Sequence, residues 1–246
     1  DKDSWPNHSS MFGIIDLASI PKDRYYLYRS IWNRSDATLH VLPHWNWEGH
    51  EGENVPVFVY TSWPEAELFI NGVSFGRQRK QPGSNSAGVQ DEALEGRYRL
   101  MWHDAVYQSG EVKVVAYDES GAAADSVFVR TAGRPHHIEL ETVYTSLKAD
   151  GKDLAYVTAS IVDRDGNLCP SDASLLRFEV EGAGSFRAVA NGDPTCLEPF
   201  HLPQMHVFNG RLTVILQSGT VPGDVHLTVR GKGLRSASLS FPVVQD

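Results

Sequence analysis

The chain has 246 residues, room for two ordinary domains of about 100–150 residues each. Apolar residues make up 41% and aromatics 10%, enough for packed cores and too much for a disordered chain. A net charge of −9 argues against a nucleic-acid partner, and the longest apolar runs, FGII and VFVY, fall far short of the roughly 20 residues that span a bilayer.

No basic-then-apolar leader opens the sequence, so no signal peptide is read in it. Residues 1–34 read as a loop followed by a helix. Pro21 suits the first helical turn, Asp23 favours the positive end of the helix dipole, and Tyr25, Tyr28 and Trp32 recur at i, i+3 and i+7. Leu27 and Ile31 flank that stripe, and Asn33-Arg34-Ser35-Asp36 ends it. This is the one segment of the chain with a helical period.

Residues 35–132 read as β. TLHVLPHWNW, VPVFVYTS, EAELFI, the run after Asn71-Gly72, RYRLMWH, EVKVVAYD and AADSVFVRTA are about seven strand candidates separated by Gly and polar turns. Asn71-Gly72 between two alternating runs predicts a hairpin with a primed turn. Arg77-Gln78-Arg79-Lys80, the one basic cluster, is expected at a solvated hairpin end. Ala132-Gly133-Arg134-Pro135 reads as a linker, and residues 133–246 repeat the theme with about seven more strands. The fold class is therefore mainly β, two immunoglobulin-like β-sandwiches in tandem behind a short loop and helix. One irregular stretch, Asn191 to Phe208, interrupts the second sandwich. Its Phe200, Leu202, Met205 and Phe208 are expected to dock on a neighbouring domain.

Candidate chemistry is sparse. Glycosidases need two carboxylates facing one another across a bond, and no acidic pair stands out by context. His40, His44 and His50 lie near Glu48, Glu51 and Glu53, but the prolines and glycines between them predict strand and loop, and HExxH is absent. GxSxG and the P-loop are absent too, so no catalytic residue, metal or cofactor is assigned. Cys169 and Cys196 lack zinc-ligand spacing; two free thiols and a single bridge both stay open. Trp45, Trp63 and Trp102 are expected in the first core or against the helix. Trp5 stands apart, in a polar loop ahead of the helix.

Trp5-Pro6 followed by SSMFGIIDLASIPKDRYYLYRSIW resembles the end of the catalytic barrel in glycoside hydrolase family 2, with Bacteroides-type β-galactosidases the nearest match in pattern. Ser19-Ile20 stands where Gly-Phe is more usual there. LPHWNWEGHEGENVPVFVYTSWPEAELFINGVSFG looks like the sandwich that commonly follows the barrel, and ADGKDLAYVTASIVDRDGNLCP, NGDPTCLEPF and FNGRLTVILQSG look like a bacterial Ig-like domain behind it. The resemblance implies that residues 1–34 carry the last loop and helix of a (β/α)8 barrel, and that the family's two catalytic glutamates lie on earlier barrel strands. It implies a chain inactive alone, partnered by the barrel of the same protein and, through it, by a carbohydrate substrate. Trp5 would then sit in a βα-loop at the sugar site, since barrel active sites are built from such loops. It further implies an apolar patch left open by the missing barrel, a route to self-association, and a bacterial periplasmic or extracellular location. Two other readings stay open, a carbohydrate-binding module and a structural or dimerising spacer.

Overall fold

A computed structural model describes residues 12–81 and 96–245. These divide into two compact units, one made of residues 21–131 and the other of residues 12–20 together with 132–245.

The first unit opens with helix α1 (Asp23–Trp32). Lys22 is its N-cap residue in extended conformation, so Pro21 lies just ahead of the helix rather than inside its first turn. The Asn33 N–H closes the last turn on the Arg29 carbonyl, and the Asn33 side chain then accepts from the Ser35 and Asp36 N–H groups, which turns the chain away. Seven strands follow among the described residues: β1 (Leu39–Leu42), β2 (Val57–Thr61), β3 (Glu65–Ile70), β4 (Val73–Arg79), β5 (Leu100–Trp102), β6 (Glu111–Tyr117) and β7 (Ala123–Arg130). They form two antiparallel sheets, ordered β1-β2-β5 and β4-β3-β6-β7. Alternation builds the core. Ala66, Leu68 and Ile70 of β3 and Val112, Val114 and Ala116 of β6 are buried, and Glu65, Glu67, Lys113 and Val115 face out. Val57, Val59, Leu100 and Trp102 meet them from the other sheet.

The β3–β4 hairpin is the primed turn that the sequence predicts. Asn71 and Gly72 both have positive φ, 49° and 81°, the pair of left-handed residues that a type I′ turn requires. Asn71 does more than turn the chain: its Oδ1 accepts from the Glu111 N–H at 2.8 Å, which fixes the hairpin tip to β6. The basic cluster keeps its two arginines exposed, as the sequence reading expects. It runs along β4, where Arg77 pairs with Glu65 and Glu67, Arg79 pairs with Glu65 and Glu119, and Lys80 turns inward to donate to the Thr61 carbonyl. Burial pushes the Lys80 ammonium down to about 8.

The second unit contains nine strands among the described residues: β8 (His137–Glu141), β9 (Leu147–Lys148), β10 (Leu154–Val162), β11 (Leu175–Gly182), β12 (Gly184–Ala190), β13 (Gln204–His206), β14 (Arg211–Ser218), β15 (Gly223–Gly231) and β16 (Ala237–Val244). One sheet runs β12-β14-β10-β8 and the other β13-β11-β15-β16-β9. Val157, Ala159 and Ile161 of β10, Leu212, Val214 and Leu216 of β14, and Val225, Leu227 and Val229 of β15 fill the space between them.

Two strands exceed the sequence reading. HHIELETVYTSL and the lysine after it contribute two strands: β8 joins the first sheet and β9 pairs parallel with β16 in the second. The stretch from Asn191 to Phe208 contains β13, paired with β11. Met205, expected to dock on a neighbour, is instead fully buried in its own sandwich, with Val207 beside it. The rest of that stretch is tied locally. Asn191 is buried and donates to the His206 carbonyl at 2.9 Å, and Glu198 accepts from the His206 backbone and pairs with its ring at 2.8 Å. Leu197, Phe200, Leu202 and Phe208 keep exposed apolar surface.

Candidate functional site

Trp5, the one candidate sugar contact, lies outside the described residues. Several glutamates among the described residues are held in ion pairs. Glu65 and Glu67 hold Arg77, Glu111 holds Arg130, Glu179 holds Arg230, and Glu198 holds His206. The Glu67 carboxylate also accepts from Ser74 Oγ and, at 2.9 Å, from the Tyr117 hydroxyl, and these bonds, that of Ser74 foremost, hold its pKa below the usual carboxylate range. A carboxylate kept ionised by three donors is a poor general acid.

The histidine cluster is dispersed among separate contacts. His40 stacks on Tyr26 at 4.0 Å and its Nε2 meets Asp23 at 2.8 Å. His44 stacks on Trp47, and burial lowers its pKa against the opposing pull of Asp23. His50 pairs with Glu53 at 2.9 Å. Among the described residues no group of three His, Cys, Asp or Glu is placed to hold a metal ion. Cys169 is a buried free thiol, pushed up to about 11 by burial, and Cys196 is a free, partly buried one that accepts from Asn191 Nδ2.

The feature with unsatisfied packing is the helix. Its C-terminal half is tied to the residues that flank β1 and β2: Ser30 is buried, its carbonyl accepts from Ser62 Oγ just after β2, and Arg29 donates to Thr38 Oγ1 just before β1 at 2.7 Å. Its other side is open. Trp32 stacks on Tyr28 at 4.8 Å yet remains 71% exposed, and Ile31 is exposed beside it. Tyr25, Tyr26 and Tyr28 are partly buried, so it is Trp32 whose burial would release further free energy.

Residues 12–20 belong to the second unit, and one side chain explains why. The Thr213 hydroxyl on β14 is buried and donates to the Ala18 carbonyl at 2.7 Å, with Ala18 itself buried. Asp16 organises the turn between them by accepting from the Ala18 and Ile20 N–H groups at 2.8 and 2.9 Å. Ser19 takes φ of 61°, a left-handed conformation that glycine adopts at lower cost. That accounts physically for the glycine usual at this position in the family phrase. Phe12, Ile15 and Leu17 around this turn are exposed. We predict that Thr213→Val, which keeps shape and removes the hydroxyl, leaves the Ala18 carbonyl buried without a donor and costs about 1–3 kcal/mol. Limited proteolysis should then cut within residues 12–20 sooner than in the parent chain, and unchanged cleavage would refute the anchoring role.

Comparison with known proteins now adds what geometry alone does not. Residues 138–240 match the model of glycoside hydrolase family 2 C-terminal domain 5, and residues 52–124 match a domain of unknown function, DUF4982. A β-galactosidase of Bacteroides ovatus is 39% identical over 238 residues, 96% of this chain and 26% of the relative. A β-glucuronidase of Formosa agariphila is 26% identical over 231 residues, 89% of this chain and 22% of the relative. Among solved structures, a β-glycosidase from Bacteroides vulgatus superposes with a TM-score of 0.85 at 33% identity, covering 98% of this chain and 29% of that one. The chain thus spans about a quarter of the length of the curated relatives it matches. With both sandwiches matched in order and near-complete coverage by enzymes of one family, the chain belongs to the C-terminal region of glycoside hydrolase family 2.

Proposed function

We propose that this chain supplies the non-catalytic C-terminal domains of a retaining β-galactosidase, and that α1 is the last helix of that enzyme's barrel. The observation that carries the reading is the 39% identity to the Bacteroides ovatus β-galactosidase over 96% of the chain, against 34% and 31% over 74% and 77% of the chain for two putative β-glucuronidases. The open aromatic side of α1 supports the placement of the helix, because Trp32, Tyr28 and Ile31 offer the apolar surface that barrel helices bury. The two sandwiches act as a base from which that helix and the segment around Asp16 are held in fixed positions. The hydrolysis itself, a double displacement by two glutamates about 5–5.5 Å apart, belongs to the barrel. The same open apolar surface makes the chain by itself prone to self-association.

The test uses the complete reading frame beside the present chain, each assayed on aryl β-galactoside and aryl β-glucuronide. The full-length protein should hydrolyse the galactoside and the present chain should show no turnover of either. In the full-length enzyme Trp5→Ala should lower kcat/KM by about tenfold or more through a lost sugar contact. Preference for the glucuronide would overturn the substrate assignment, turnover by the present chain would overturn its non-catalytic role, and unchanged kinetics in Trp5→Ala would remove Trp5 from the site.

A further inference from the structure

A concave surface of the second sandwich gathers cations in a chain that is acidic overall. It is an open cleft of about 980 Å³ along β11 and β15, lined in part by Ser174, Arg177, Glu179, Arg230 and Lys232. Arg177 and Arg230 stand directly opposite each other in the antiparallel register. Opposed residues leave the same face of a sheet with Cβ atoms about 4.5–5.5 Å apart, and like charges so placed destabilise the pair. Glu179, two residues along β11 and therefore on the same face, neutralises Arg230. Among the described residues no carboxylate does the same for Arg177 or Lys232. The cleft therefore holds three cations against one anion, in a chain with 31 Asp and Glu against 22 Lys and Arg. With Arg230 held by Glu179, Arg177 is the exposed member of the opposed pair that is placed to receive an anion.

We propose that this cleft binds an oxyanion, a carboxylate or a sulfate, with Arg177 as its main donor. The planar guanidinium gives two parallel N–H···O bonds to such a group, Arg230 and Lys232 add charge, and the Ser174 hydroxyl adds a further donor at the rim. The cleft is open along its length, so the anion can be carried on an extended chain such as an acidic polysaccharide, or can be a small free ion. A single exposed anion binds weakly because solvent and salt screen it. Repeated anions on one chain bind more tightly through effective concentration.

The present chain is sufficient for the test, since every residue involved lies in the second sandwich. Titrations at low salt, followed by amide chemical shifts, would use inorganic sulfate, sodium glucuronate, an oligogalacturonate and a neutral galacto-oligosaccharide. The expected result is perturbation centred on Arg177, Arg230 and Lys232 by all three anionic probes and by none of the neutral sugar. The double variant Arg177→Gln, Lys232→Gln should weaken binding by about tenfold or more, and Lys113→Gln on the first sandwich should leave it unchanged. Both altered side chains are solvent-exposed, and an unchanged amide spectrum elsewhere confirms that the double variant is folded. Tighter binding of the oligogalacturonate than of glucuronate supports a polysaccharide source, and equal binding supports a free anion. No binding by any anionic probe, equal binding of the neutral sugar, or an unaltered affinity in the double variant would overturn the proposal.

Discussion

Trp45→Ala should destabilise the first sandwich by about 3–5 kcal/mol. Trp45 is completely buried although it lies in the long connection between β1 and β2 rather than on a strand. Three contacts hold it. Its indole N–H donates to the Gln108 carbonyl at 2.9 Å, its ring packs edge-on against Tyr107 at 5.2 Å, and its own carbonyl accepts from the Thr131 hydroxyl at 2.5 Å. Truncation leaves a cavity the size of an indole and removes the donor from the Gln108 carbonyl. Trp45→Phe separates the two effects: it keeps most of the apolar volume and loses only the N–H, for about 1–2 kcal/mol. Five of the six tryptophans, Trp32, Trp45, Trp47, Trp63 and Trp102, lie within residues 21–131, so tryptophan fluorescence in urea reports chiefly on the first unit, while far-UV circular dichroism follows both. The fluorescence midpoint should fall sharply in Trp45→Ala and the remaining dichroism transition should stay in place. A fluorescence midpoint within experimental error of the parent would show that the connection carries no stability.

The strands that the sequence reveals are those whose information is local. β3, β6 and β10 alternate buried with more accessible residues over six to nine positions, and Asn71-Gly72 needs only its own backbone preferences to form its turn. The strands that it hides have too few residues to show a period. β9 is two residues long and pairs with β16, almost a hundred residues later, and β13 is three residues long inside a segment broken by Pro199 and Pro203. In both cases the partner strand, not the segment, dictates the extended conformation.

The same limit governs the functional features. The bond from Thr213 to Ala18 joins residues 195 positions apart, so nothing in the phrase FGIIDLASI foretells which sandwich receives it. Arg177 and Arg230 lie in strands 53 residues apart and become a cluster only through the register of β11 with β15. The basic cluster that is visible in sequence, residues 77–80, is by contrast consumed by Glu65, Glu67, Glu119 and the Thr61 carbonyl. A charge run reports composition, and only the fold decides whether its charge is spent.

Asp163→Asn should cost the second sandwich about 2 kcal/mol at neutral pH, and the cost should vanish in acid. Asp163 is 4% exposed, at the end of β10, where Asp163-Arg164-Asp165-Gly166-Asn167 makes a tight turn. Burial, the largest single influence, raises its pKa. The opposing hydrogen bonds prevail: the Asn167 side chain at 3.0 Å, the Gly133 N–H at 2.7 Å, and the N–H groups of Asn167 and Asp165 at 2.8 and 2.9 Å bring it down to about 2. The contact with Gly133 gives the carboxylate a second task, since it fixes the start of the segment leading into the sandwich. Because the folded pKa lies below the unfolded value of 3.8, the contribution is complete above about pH 5 and is lost as pH falls through 3.8 toward 2. Asparagine keeps one acceptor oxygen but presents an amide to donors that need an acceptor, and it does not titrate. The stability difference between parent and variant, from urea titrations followed by dichroism, should therefore be near its full value at pH 7, about half of it near pH 3, and close to zero at pH 2. Asp150, also held below the usual carboxylate range by backbone N–H groups, is common to both proteins and cancels in that difference. A difference that persists undiminished at pH 2 would mean that the turn is held by its shape and not by the ionised carboxylate.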